Sequence, residues 1–373
     1  MSGSVRFIHT ADTQLGARFG NLPPELAELK RASQREGFAF LVSQALEKQV
    51  DLFLIAGDLF DTAKPPAGEI TLVKSQLRRL QDAGIRTCMI PGNHDYYEKG
   101  NFWDQYDPWP VAKFFTENEF TSLVLDDLGV EVYGIGFDRK RSSRNALADF
   151  SFQPVQKRSI LLFHGAWQNF GHDTEKDYPF SLDDIHKVPC NYIACGHYHG
   201  LQPILESPVK QAWYSGGTEG LDFSKNEIGA RFAILGTIGE EGAVSVEKLK
   251  IPSLLMEEME VDLSVTGLGG VDQLLQQKAD TRTLLHLVFT GLPSADVYRE
   301  LPLIEESFRH LFAWLRVSDR TLDIKEDSLD NPNTYEGIFY QALRQKLENA
   351  GTAEEREIIK QALQVGLAAF REA

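Results

Sequence analysis

Five short apolar runs in the first two hundred residues each end in a cluster of polar residues, and this pattern constrains the chain more than any other. The clusters are Asp12-Thr13-Gln14, Gly57-Asp58, Gly92-Asn93-His94-Asp95, His164-Gly165 and Gly196-His197-Tyr198-His199. Residues 5–10, 51–56, 86–91, 131–137, 159–163, 191–195 and 231–236 read as strands. Helical patterns fall between the first of them. One covers about residues 24–49, opened by Pro23 and Pro24. Another carries Ile70, Val73, Leu77 and Leu80 at i, i+3, i+7 and i+10 and is stopped by Gly84. Alternating strands and helices predict an α/β fold of βαβ crossovers with a largely covered sheet. Ligands of such sheets bind beyond the carboxyl ends of the strands. Asp12, Asp58, Asn93, His164 and His197 all fall there.

The clusters supply carboxylates, imidazoles and carboxamides, ligand types that suit manganese, iron or zinc. Asp12 and Gln14 are two residues apart, as are His197 and His199. In extended backbone such residues project to one side, so each pair is expected to address one metal. Asp58, between a glycine and a leucine at a turn, suits a bridge between two cations. Asn93 can offer only a neutral carbonyl oxygen, and Asp95 is placed to orient the adjacent His94. Read alone, His164 would be an ordinary strand-end histidine; the other clusters make it a ligand. Asp61 reads as orienting a turn and His9 as a packed strand residue. Trp103 and Trp109 read as packing under a loop, with stacking on a base as the alternative.

Bulk properties set outer bounds. A chain of 373 residues with 42% hydrophobic and 25% charged residues can bury a full core in two or three domains. The start, Met1-Ser2-Gly3-Ser4-Val5-Arg6, lacks the apolar segment of a secretion signal. No apolar run approaches the roughly 20 residues of a membrane span. Three cysteines (Cys88, Cys190 and Cys195) read as buried reduced thiols, so a cytoplasmic location without membrane attachment is expected. The net charge of −16, from 54 acidic and 38 basic residues, argues against a simple polyanion binder. The one dense basic segment, Asp138-Arg139-Lys140-Arg141-Ser142-Ser143-Arg144, reads as a solvated loop or as a phosphate-backbone contact.

In this order the five clusters resemble the D-x-H, G-D, G-N-H-[DE], H and G-H-x-H motifs of the calcineurin-like metallophosphoesterase superfamily. Within it the chain is most similar to the SbcD-type DNA repair exonucleases. The segment Tyr214-Ser215-Gly216-Gly217-Thr218-Glu219, with Asp222-Phe223 and Glu227, resembles the stretch after the last metal histidine in that branch. The resemblance implies a four-layer α/β/β/α core over residues 1–252, a small α+β cap over 253–325, and a linker with C-terminal helices over 326–373. It implies two divalent ions, manganese first with iron or zinc as alternatives. Asp12, Asp58 and His199 would hold one ion, and Asp58, Asn93, His164 and His197 the other. Gln14 stands where the family has a metal-binding histidine. His94 matches the catalytic histidine and Asp95 its supporting acid. The implied reaction is in-line attack on a phosphodiester by a metal-activated hydroxide, assisted by His94.

After about residue 249 the pattern changes. Ile251-Pro252-Ser253 reads as a linker, followed by strands near 257–262 and 284–289, a helix over about 294–311 and a strand at 313–317. An acidic, turn-prone stretch at 325–333 leads to helices over 336–348 and 353–371, the second capped by Thr352 with Glu355. Ile359, Ala362, Leu363, Gly366 and Phe370 can share one face of it. Packing within its own domain is the plain reading. By resemblance, this face docks on a coiled-coil ATPase of the SMC-like kind. A homodimer belongs to the same expectation. Two function classes result: a metal-dependent hydrolase of DNA, or of a small or nucleotide phosphodiester, and a catalytically weakened scaffold in which Gln14 has cost one metal its ligand.

Overall fold

The structure, a computed structural model, describes residues 3–138, 142–170, 176–263, 265–291, 295–321 and 333–372. It divides into two compact units, Met1–Met256 and Glu257–Ala373. The first begins with β1 (Ser4–Thr10), α1 (Pro24–Glu47), β2 (Leu52–Ala56), α2 (Ala67–Asp82), β3 (Arg86–Ile90), α3 (Phe102–Gln105) and β4 (Lys113–Phe114). It continues through β5 (Thr121–Leu125), β6 (Val130–Gly134), β7 (Arg158–His164), α4 (Leu182–Lys187), β8 (Tyr192–Gly196), β9 (Gln202–Glu206), β10 (Gln211–Tyr214) and β11 (Gly229–Gly239). β12 (Val244–Asp262) runs on into the second unit.

Two sheets form. In the first unit one has the order β12-β11-β1-β2-β3-β4, and the other has β5-β6-β7-β8-β10-β9. Pairing is parallel along β1-β2-β3-β4 and along β6-β7-β8-β10. Parallel strands covered on both faces need apolar residues on both, and these strands have them. Leu52, Leu54 and Ala56 of β2 face Ile160 and Leu162 of β7 and Tyr192 and Ala194 of β8 in a core between the sheets. Phe53 and Ile55 point the other way, joining Phe38, Leu41 and Val42 of α1 and Val73 and Leu77 of α2. Leu161, Phe163, Ile193 and Cys195 face outward from the second sheet onto Ile185 of α4. Each fully buried leucine, isoleucine, valine or phenylalanine among them contributes roughly 1.5–3 kcal/mol of transfer free energy. Three cores separated by two sheets make the expected α/β/β/α layering.

The segment Ile251-Pro252-Ser253 is not a linker but lies inside β12. Arg231 pairs with Ile251 and Gly229 with Met256, so residues 252–255 bulge against Ala230 alone. A bulge is where a strand tolerates a proline that has no N–H for the ladder. The amide of Leu254, freed from the ladder, donates to Ser33 Oγ and Glu219 Oε2.

The second unit contains the end of β12, α5 (Leu268–Gln277), β13 (Asp280–Thr290), α6 (Ala295–Phe308) and β14 (Phe312–Asp319). β13 and β14 are parallel, with α6 in the crossover between them. Val261, Leu275, Leu285, Leu287, Ile304 and Leu315 form its core. The strand–helix–strand expectation holds, and α5 is an addition. Most of the acidic stretch at 325–333, and Arg139-Lys140-Arg141 of the basic segment, lie outside the described residues. The tail is a helix pair, α7 (Tyr335–Asn349) and α8 (Ala353–Glu372). Leu363 packs on Tyr340, Phe370 lies against Phe339, and a Cβ on Gly366 would fall 2.1 Å from the Phe339 ring. Thr352 Oγ1 accepts from the Glu355 amide as a cap. No helix among the described residues is long and apolar enough to cross a membrane.

Candidate metal centre

The carboxyl ends of β1, β2, β3, β7 and β8 bring all seven expected ligands together. Asp58 lies at the middle. Its Oδ1 accepts from the His94 amide at 2.9 Å and its Oδ2 from Gln14 Nε2 at 2.9 Å, while His164 Nε2 is 3.5 Å from Oδ2. On one side His164 Nε2 and His197 Nδ1 converge on Asn93 Oδ1, at 2.9 and 3.2 Å. The Ala56 carbonyl, 2.9 Å from His164 Nδ1, sets that ring. On the other side Asp12 accepts the His197 amide on both oxygens at 3.0 Å, and His199 Nε2 is 3.9 Å from Asp12 Oδ1.

The glycines of the motifs are there for space. A Cβ on Gly92 would lie 2.2 Å from Asp58 Oδ1, and one on Gly196 would lie 2.1 Å from the Ala56 carbonyl oxygen. The ligands themselves carry strain. Asp12, Gln14, Asp58 and His197 have φ of 49°, 51°, 50° and 111°, a left-handed conformation costing roughly 1–3 kcal/mol per residue. This overturns the expectation of one metal per pair for His197 and His199: the backbone at His197 is not extended, so His197 turns toward Asn93 while His199 turns toward Asp12.

The cluster suits divalent cations. Two carboxylates, Asp12 and Asp58, are buried close together, and Asp12, Asp58 and His164 offer ligand atoms all within 4.8 Å of one another. Burial pushes the Asp12 carboxyl up to about 6, with Asp58 adding to the rise against His164 and His199. Burial raises Asp58 too, but His164, His94 and the His94 amide outweigh it and hold the group below its ordinary value. Burial and the neighbouring His164 push His197 down to about 3, leaving the neutral imidazole a metal requires. Gln14 is fully buried, and its Oε1 has no hydrogen-bond partner among the described residues. A buried acceptor left unbonded is costly, and a cation at the Asp12–Asp58–His199 side would satisfy it.

His94 stands at the rim, its side chain 39% exposed where that of His164 is fully buried. Its ring is not held by Asp95. The Asp95 carboxylate accepts the amides of Gly92 (2.7 Å) and Phe60 (3.2 Å), tying the β3 loop to the β2 loop. Asp61 orients the ring instead, its carbonyl oxygen 3.1 Å from His94 Nδ1. Burial lowers the His94 pKa, but Asp58 and Asp61 raise it more, and the net shift is upward. Trp103 Nε1 donates to the Asp95 carbonyl, and Trp109 Nε1 to that of Trp103. Both indoles are buried beneath the loop as packing residues. His9 is likewise a core residue, bonded to the Tyr192 hydroxyl.

Two site residues have no distinct signal of their own in the sequence. Glu227 Oε1 is hydrogen-bonded to His199 Nδ1, and Arg231 Nη1 donates to the His199 carbonyl at 2.8 Å. Glu227 appears in the sequence only as part of a longer similar segment, and Arg231 only as a strand residue.

Comparison with known proteins identifies the family. The chain is 26% identical to an uncharacterised metallophosphoesterase, YhaO, of Bacillus subtilis, over 91% of this chain and 87% of that protein. It is 25% identical to a DNA double-strand break repair protein, Mre11, of Sulfurisphaera tokodaii, over 95% of this chain and 92% of that protein. With the Mre11 of Haloferax volcanii the identity is 33%, over 45% of this chain and 36% of the relative. Residues 5–201 match the model of the calcineurin-like phosphoesterase family. On that match, which takes in all five clusters, the chain belongs to the calcineurin-like phosphoesterases, a family with a dimetal centre.

Proposed function

We propose that this chain is a manganese-dependent DNA nuclease. The observation that carries the reading is the meeting of Asp12, Gln14, Asp58, Asn93, His164, His197 and His199 around the Asp58 carboxylate with His94 beside it, in a chain that aligns over almost its whole length with a DNA double-strand break repair protein. Asp12, Gln14 and His199 would hold one ion and Asn93, His164 and His197 the other, with Asp58 shared. Two bound divalent ions would lower the pKa of an attacking water and offset charge on the transferring phosphoryl group.

The chain's own residues supply the rest. His94, with Nδ1 turned to the Asp61 carbonyl, keeps Nε2 for the leaving oxygen, to which it delivers a proton. Asp95 and Trp103 hold the loop that carries it. A cavity of about 410 Å³ beside His199 is lined by Lys225, Lys248 and Asn226, cationic and polar groups suited to a phosphate backbone despite the net charge of −16. That net charge favours a second reading, a small or nucleotide phosphodiester as substrate.

The test is hydrolysis of single-stranded DNA, double-stranded DNA and bis-p-nitrophenyl phosphate with Mn²⁺, using His94→Ala as control. Cleavage of DNA lost in the control is expected. Turnover of the small ester alone moves the reading to a phosphodiesterase, and no turnover with metal bound moves it to a scaffold. The tail also supports a partner. α7 and α8 bury one shared face yet leave Tyr335, Ile338 and Ile358 exposed, a surface suited to a coiled-coil ATPase of the SMC-like kind. Equal recovery of such an ATPase by the full chain and by one ending near Asp330 would rule this out.

A further inference from the structure

The Asp12–Asp58–His199 side of the centre is poor in imidazole. The other side has His164 and His197, and the distal nitrogen of His164 meets a neutral acceptor, the Ala56 carbonyl. Here Gln14 offers a carboxamide, a weaker ligand for borderline divalent ions, and His199 is the single imidazole. It is also the single ligand histidine gripped by charged groups at both ring and backbone. Glu227 Oε1 binds His199 Nδ1, so Nε2 is the atom turned toward Asp12. Glu227 is itself fixed, its Oε2 accepting the Leu221 amide at 2.9 Å and lying 3.6 Å from Arg231 Nη2. The His199 carbonyl accepts from both Arg231 Nη1 and the Gly217 amide, at 2.8 and 3.0 Å.

Arg231 is 3% exposed; its Nη1 donates to the His199 and Asn226 carbonyls, its Nη2 pairs with Glu227 at 3.6 Å, and its Nε has no hydrogen-bond partner among the described residues. Removing one partner of a buried charge pair is costly, which ties Arg231 to Glu227 and to the His199 carbonyl as one network.

We infer that Glu227 and Arg231 are positioning residues that compensate for Gln14: by fixing the ring and backbone of His199 they sustain ion binding at the position where a carboxamide has replaced an imidazole. A carboxylate on the distal nitrogen of a ligating histidine fixes its tautomer and strengthens it as a donor, and removing such a partner costs about 10–100-fold in metal affinity. The inference rests on the ligand assignment of the proposed function.

Calorimetric titration of the metal-free full chain with Mn²⁺ tests it without any hydrolysis readout, so failure to cut DNA would leave it standing. Gln14→His identifies the position by tightening one of two binding transitions. Glu227→Gln should weaken that same transition by about 10–100-fold and leave the other within a few-fold. Arg231→Met should act in the same direction with a smaller loss. In the double variant Gln14→His/Glu227→Gln, the added imidazole should restore most of what Glu227→Gln removes. Thermal unfolding of the metal-free variants separates positioning from scaffolding. Equal weakening of both transitions, no change in either, or a double variant no tighter than Glu227→Gln would each overturn the inference.

Discussion

The two sides of the metal centre are built by different means. On the Asn93 side, His164 ends a fully buried strand, its ring meets a backbone carbonyl, a carboxamide and the shared carboxylate, and it packs against Phe137 and His197. The position is made by rigid strand ends and two imidazoles. Left-handed backbone occurs on both sides, at Asp12 and Gln14 and at His197, but on the Asp12 side His199 is also gripped by Glu227 and Arg231. One position is fixed by the fold itself, and the other by a buried charge network added to it. The contrast implies unequal affinities within a single centre.

The largest effect is expected where the sides meet. Asp58→Ala removes the shared carboxylate, so both Mn²⁺ transitions should disappear from a calorimetric titration. Survival of one at wild-type strength would mean that Asp58 does not bridge. His94→Ala should lower the hydrolysis rate by about 10²–10⁴-fold while both ions still bind, as the proposed role of His94 at the leaving group requires. Loss of an ion in this variant would recast His94 as a ligand. Gln14→His should tighten the weaker transition by about tenfold, equivalent to about 1.4 kcal/mol, with the stronger one unchanged. Trp103→Phe should leave ion binding nearly intact. It deprives the Asp95 carbonyl of its donor, a loss of about 1–3 kcal/mol read as a fall of a few degrees in Tm. An unchanged Tm would show that the indole does not brace the loop.

Much of this was legible in the sequence because it depends on local pattern. Runs apolar on both faces marked the buried parallel strands, and polar clusters at their ends marked the residues that meet around Asp58. Ile70, Val73, Leu77 and Leu80 all lie in the core as their helical spacing requires. What the sequence concealed depends on backbone direction or on distant pairing. The two-residue spacing of His197–His199 predicted a shared face, but positive φ at His197 turns the two rings to opposite sides of the centre. Asp95 follows His94 directly, yet a side chain one residue away on a tight turn is better aimed at the turn's own amides, and Asp61 reaches the ring from another loop. Pro252 suggested a linker because a bulge is invisible until its partner strand is known. Glu227 and Arg231 lie 28 and 32 positions from His199, and only the path of β11 brings them to it.

The central claim is that one centre holds two unequal metal positions sharing Asp58. Titration of the metal-free full chain with Mn²⁺ tests it most directly. Two transitions, one ion each, with clearly different affinities and with Gln14→His drawing them together, are the predicted result. Two ions bound with equal affinity, or a Gln14→His variant indistinguishable from the parent, would contradict it.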